Sequence, residues 1–199
     1  MLIGNDEHYQ DLVDRIDDCP DEVLITTYGI WAGILPDGRD ATKVFNYKKP
    51  MGTRRVLDAL VTVPNVTMVV SYPTYCSCKG KSAYCRFCEE KFVSQLIRMY
   101  NHALLYQKFN WYIVKECHLK ANLFVKDGDF SGTAGGRNFT ESEWLDVTFE
   151  LTPADASKLY KYVKASVMPT ARPLANDAIS SILEDNKISP DTIEKILQS

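Results

Sequence analysis

The sequence predicts an α/β protein with a mixed central β-sheet flanked by helices. Three observations point there. Apolar stripes at helical spacing alternate along the chain with short runs of β-branched and aromatic residues. Helices lying between strands favour parallel neighbours, because a parallel pair needs a long crossover. The turn residues Asp127-Gly128-Asp129 sit among the late strands and favour a local hairpin there. A chain of 199 residues can bury a substantial core, and its 45% hydrophobic and 25% charged content is ordinary for a water-soluble protein.

The elements follow in order. Tyr9, Leu12, Val13 and Ile16 form one face of a first helix over 7–17, which Pro20 and Asp21 punctuate. The run EVLITTYGIW, 22–31, has the composition of a buried strand. A polar loop over 36–52 leads to Thr53, a suitable cap for a helix carrying Val56, Leu57, Leu60 and Val61. Val66 to Tyr72 reads as a second strand. A long helix over 89–108 repeats Phe92, Leu96, Tyr100 and Leu104 every fourth residue. Strands are then expected over 110–116, 119–126 and 145–151, with a small, flexible stretch at Gly132 to Gly136. Thr152 and Pro153 cap and start a further helix. The domain is thus expected to span 1–168, with a cysteine-rich loop at 74–90.

After Pro169 the texture changes to a linker and a helical tail, 169–199. Two short helices are expected, at 176–184 and 189–197. Ser189 is the cap of the second, and Ile188 and Ile193 are spaced as a hydrophobic staple across it. Leu183, Ile193 and Leu197 would be exposed if the tail stood alone, so it packs on the domain or on a partner.

Charge and targeting signals narrow the function classes. The net charge of −3 argues against nonspecific nucleic-acid binding by the whole surface. It leaves room for local basic clusters, of which Lys48, Lys49, Arg54 and Arg55 form one and Lys79, Lys81 and Arg86 another. No apolar run has membrane-spanning length, and Met1 to Glu7 is too short, polar and acidic for a signal peptide. The expectation is a cytoplasmic protein without membrane association.

The candidate chemistry centres on His118-Leu119-Lys120. Residues two apart on a strand share a face, so His118 and Lys120 would project side by side. A neutral imidazole is a competent nucleophile toward phosphorus, and an adjacent ammonium holds the phosphate's charge. The turn Gly135-Gly136 offers backbone N–H groups to an anion, and Asn138 adds a side-chain donor. Asp146 and Glu150, four apart on the last strand, share a face, and either could hold the second nitrogen of His118.

This series of residues resembles the HKD motif of the phospholipase D superfamily, and most closely its single-motif bacterial nuclease branch. The resemblance covers roughly 7–167. It implies a metal-independent phosphodiesterase, a nuclease first, that works through a phosphohistidine intermediate. Single-motif members pair two copies to complete the site, so it also implies a homodimer. The implied roles are His118 as nucleophile or acid, Lys120 and Asn138 as phosphate ligands, and Glu150 or Asp146 as the orienting carboxylate. The implied partner is nucleic acid, DNA ahead of RNA. The rival readings are a noncatalytic binding member of the same fold and, third, a phospholipid hydrolase. The chain departs from the motif at Val125, where the family has an aspartate, and at Gly136, where it often has a serine.

Four of the six cysteines form the second constellation, Cys76-x-Cys78-x6-Cys85-x2-Cys88. Without a secretion signal such clustering suggests a metal rather than disulfides. Four thiolates would close a tetrahedral, structural zinc site with no open position for substrate, so one zinc per chain and no catalytic metal are expected.

Overall fold

A computed structural model describes residues 2–3, 5–35, 39, 52–72, 86–135 and 148–197. Among them, eight strands form one mixed sheet: β1 (Leu2–Ile3), β2 (Glu22–Thr27), β3 (Asn65–Tyr72), β4 (Asn110–Lys115), β5 (Ala121–Lys126), β6 (Asp129–Gly135), β7 (Thr148–Glu150) and β8 (Arg172–Pro173). Their order across the sheet is β1-β7-β6-β5-β2-β3-β4-β8. The pairs β2–β3 and β3–β4 are parallel, and β5 turns antiparallel against β2. The helices are α1 (Asn5–Asp17), α2 (Gly52–Leu60), α3 (Arg86–Leu105), α4 (Pro153–Tyr162), α5 (Asn176–Asp185) and α6 (Pro190–Leu197). A π-helical turn, Val163–Val167, extends α4.

Alternation along the central strands sends residues to two cores. Val23 and Ile25 of β2 point into the larger one, with α1, α2, α3 and α5 over that face. Leu24 points into the smaller one, with Val69, Val114, Leu123 and the Ala156, Val163 and Val167 stripe of α4 and its extension. The interior strands are apolar on both faces because helices cover both. On the outer side of the smaller core, Tyr160 Oη donates to Glu22 Oε2 at 2.8 Å and Lys164 pairs with Glu22 at 2.9 Å, tying α4 to the start of β2.

Several boundaries differ from expectation, each for a local reason. The strand expected over 22–31 stops at Thr27, whose hydroxyl donates to Gly29 O at 2.7 Å and so turns the chain. Thr53 is not a cap. The helix already starts at Gly52, and Thr53 is buried, with Oγ1 donating to Tyr9 Oη at 3.1 Å. The supposedly flexible Gly132 lies inside β6, paired with Leu123. A Cβ there would sit 2.4 Å from Asn122 O, so the glycine permits close strand approach. The two-residue strands β1 and β8 sit where polar or linker segments were expected, and they pair antiparallel with β7 and β4.

Other expectations coincide with the structure. Asp127 and Gly128 both have positive φ, 52° and 85°, the geometry of a two-residue hairpin turn between β5 and β6. Thr152 caps α4, accepting from Asp155 N at 3.2 Å. The tail packs on its own domain. Ala178, Ile179 and Ile182 of α5 enter the larger core, and Leu183, Ile188 and Ile193 pack against it. Glu89 of α3 clamps the start of α6, accepting from Ser189 N at 3.1 Å and Thr192 Oγ1 at 2.8 Å.

Candidate active site

The path from β4 to β5 builds the site. β4 runs parallel to β3, while β5 lies beyond β2 on the other side, so the connection must cross the ends of both strands. Glu116 N donates to Tyr72 O at 3.1 Å, the last rung of the ladder. Glu116 then takes a left-handed conformation, φ 52°, uncommon for a residue with a side chain. The buried Ser71 hydroxyl at the end of β3 catches Cys117 N at 2.8 Å. These two constraints steer 117–120 over the carboxyl ends of β3 and β2, and the chain enters β5 at Ala121, opposite Thr26. His118 and Lys120 therefore stand just before β5 rather than within a strand, two residues short of the expected pairing. The carboxyl ends of parallel strands, where the strand order switches direction, are the usual place for ligands in open α/β sheets.

Within that segment the two side chains meet a third. Lys120 Nζ donates to His118 O at 3.1 Å. The exposed His118 imidazole stacks on Tyr28, with ring centroids 4.4 Å apart and planes 17° from parallel. Lys120 Nζ lies 5.9 Å from the same Tyr28 ring, within cation–π range. Tyr28 follows β2 directly, and its carbonyl accepts from Gln95 Nε2 of α3 at 3.2 Å. Composition and spacing did not single out Tyr28. It is distant from His118 in sequence, and only the antiparallel β2–β5 register brings them together.

The remaining candidates are placed as follows. Glu150 lies on β7, opposite Thr133, and its Oε1 accepts from Arg15 Nη2 of α1 at 3.1 Å. Arg15 also pairs with Asp11 at 2.9 Å. The carboxylate is thus engaged with α1. Asn138 and Asp146 lie outside the described residues, as do Cys76, Cys78 and Cys85. Cys88 falls in the first turn of α3, and its side chain is likewise outside the description. Among the described residues no group of three or more His, Cys, Asp or Glu side chains is placed to hold a metal.

The two other histidines are buried. His8 is 2% exposed and His102 0%. His102 Nε2 accepts from Ala32 N at 2.9 Å, which leaves Nδ1 to donate to Arg98 O at 2.6 Å. A cavity of about 360 Å3 lies near the far end of β5, lined by Asp11, Asp14, Asp18, Arg15 and Lys126. Its two cations are paired with Asp11 and Asp18, which leaves no uncommitted positive charge among the described lining residues for a phosphodiester.

No protein-family model matches the chain, and neither does any curated protein sequence. Solved structures are similar to it. Phosphatidylserine synthase of Haemophilus influenzae Rd KW20 aligns with a TM-score of 0.54 and 11% identity, over 98% of this chain and 43% of that one. The chain therefore spans less than half of that enzyme. NucT from Helicobacter pylori aligns at 0.47 and 12% identity, over 87% of this chain and 97% of that one. Polyphosphate kinase from Porphyromonas gingivalis aligns at 0.42 and 10% identity, over 82% and 22%. The shared architecture is carried by the first of the three.

Proposed function

We propose that this chain, which has the fold of the phospholipase D superfamily, is a metal-independent phosphodiesterase, and specifically a nuclease. One observation carries the reading. An exposed imidazole and an ammonium, His118 and Lys120, are brought together over the carboxyl ends of parallel strands.

The chemistry needs two imidazoles. A ring nitrogen of His118 attacks phosphorus, and the P–O bond to the leaving oxygen breaks as that oxygen takes a proton. Lys120 and Asn138 hold the nonbridging oxygens. Water then attacks the phosphohistidine, giving its proton to the second imidazole, and the P–N bond breaks. The burial of His8 and His102 supports a second copy of the chain as the source of that imidazole. In this homodimer the partner's His118 is the general acid. For the orienting carboxylate, the Arg15 ion pair of Glu150 favours Asp146. Cys76, Cys78, Cys85 and Cys88 hold one structural zinc in this proposal, and DNA is the first substrate to try.

The test is cleavage of single- and double-stranded DNA and RNA in EDTA, beside a phosphatidyl substrate. Cleavage of nucleic acid that His118→Ala abolishes, with the circular dichroism spectrum unchanged, is the expected result. Turnover that requires added magnesium and survives His118→Ala would overturn the mechanism. Turnover of the phosphatidyl substrate alone would replace the nuclease by a lipid hydrolase.

A further inference from the structure

An exposed histidine is free to rotate about both side-chain torsions. A nucleophile must instead present one ring nitrogen along one direction, and misplacement on the ångström scale is costly. Something must therefore hold the His118 ring. Among the described residues the imidazole rests on one surface, the Tyr28 ring, 4.4 Å away and nearly parallel.

Tyr28 is itself firmly placed. It follows the last residue of β2, a strand paired on both sides. Its carbonyl is held by Gln95 Nε2 at 3.2 Å. The hydroxyl of its neighbour Thr27 bonds across it to Gly29 O at 2.7 Å. The same ring faces the Lys120 ammonium at 5.9 Å. One aromatic plate thus touches the nucleophile and the phosphate-binding cation, and it belongs to a rigid strand end rather than to the crossing segment that carries them.

We propose that Tyr28 is a positioning residue, whose ring fixes the plane of the His118 imidazole and the approach of Lys120. The inference rests on the reading of His118 as nucleophile. It assigns the work to the ring face and not to the hydroxyl, because stacking and cation–π contact both use the π surface.

The variants that separate these roles are Tyr28→Phe and Tyr28→Leu in the full chain. Phenylalanine keeps the plate and is expected to keep kcat within about twofold, whereas leucine lowers kcat by about 10- to 100-fold with KM little changed. A second readout needs no substrate. Nuclear magnetic resonance of histidine-labelled protein should show the His118 ring protons displaced upfield by the aromatic ring above them. Tyr28→Phe should retain that displacement and Tyr28→Leu remove it, while backbone amide spectra confirm the fold of each.

Four results would overturn the inference. One is a Tyr28→Leu enzyme with wild-type kcat. Another is a loss confined to KM, which would make Tyr28 a substrate platform. The third is an equal loss in Tyr28→Phe, which would assign the role to the hydroxyl. The fourth is an active enzyme whose His118 signals do not move in Tyr28→Leu. If the wild-type chain cleaves no phosphodiester at all, the functional reading itself fails and Tyr28 has no catalytic group to position.

Discussion

The His102 imidazole uses both nitrogens in one protonation state. Ala32 N can only donate, so Nε2 must be unprotonated, and Nδ1 carries the hydrogen given to Arg98 O. Burial is the main reason its pKa is pushed down to about 4. That depressed value makes stability depend on pH with a definite sign. Above about 6.5, the unfolded value, both states are neutral and the stabilisation is complete. As pH falls from there to about 4, only the unfolded chain takes the proton, and up to about 3 kcal/mol is lost. Urea unfolding at pH 7 and pH 4.5 should show a larger drop for the wild type than for His102→Gln. Equal drops would mean that this imidazole is not held neutral. At this same scale the sequence was partly informative about the site. The shared strand face expected for His118 and Lys120 is absent, since both precede β5; the Tyr28 ring is what gathers them. The sequence could not place Tyr28, whose contact depends on strand register, nor show that Arg15 of α1 would engage Glu150.

The β5–β6 hairpin shows what a single element demands of its residues. Its turn places Asp127 and Gly128 at positive φ, which glycine adopts without cost and aspartate tolerates. That turn was legible in the sequence because its chemistry is local. The run of the following strand through Gly132 was not, because that glycine serves the neighbouring backbone and has no side chain to signal a sheet. Gly132→Ala would drive a methyl to within 2.4 Å of Asn122 O, so it should cost about 1–3 kcal/mol in chemical denaturation. Gly128→Ala meets nothing within 4 Å, and its cost of about 1 kcal/mol would come from the backbone alone. The reverse order of these two effects would contradict the close approach of the strands. Beside them, Asn122 Nδ2 donates to Thr133 Oγ1 at 3.1 Å in a buried setting. Thr133→Val strands that amide and should destabilise by about 1–3 kcal/mol, whereas removing both polar groups together should cost less. The cysteine element has its own test. Protein purified without chelator should contain about one equivalent of zinc per chain, the content of a closed four-thiolate site. Metal-free protein, or disulfides in chains kept reduced, would remove the proposal.

At the scale of the whole molecule, the layered α/β order was readable because it follows from alternating periodicities. The edge strands were not, since β1 and β8 join the sheet by backbone bonds that leave no pattern in the side chains. The same scale bears on where the proposed mechanism would find its second imidazole. The chain has three histidines, and the fold buries two of them. His102 has both nitrogens committed to backbone groups. The proposed mechanism therefore seeks a proton donor for the leaving oxygen in another copy, which a twofold interface would supply by bringing identical surfaces together. His118 is suited to such a meeting, since it is exposed and its segment crosses the ends of β2 and β3. Leu183, Ile188 and Ile193 of the tail pack on their own domain, so the proposed dimer is expected to use other surfaces. Light scattering should report twice the chain mass at working concentrations. Wild-type chains mixed with an excess of His118→Ala chains should lose activity beyond simple dilution, because each mixed pair lacks either its nucleophile or its acid. A monomer with full activity, or mixed pairs as active as wild type, would place the second catalytic group within one chain.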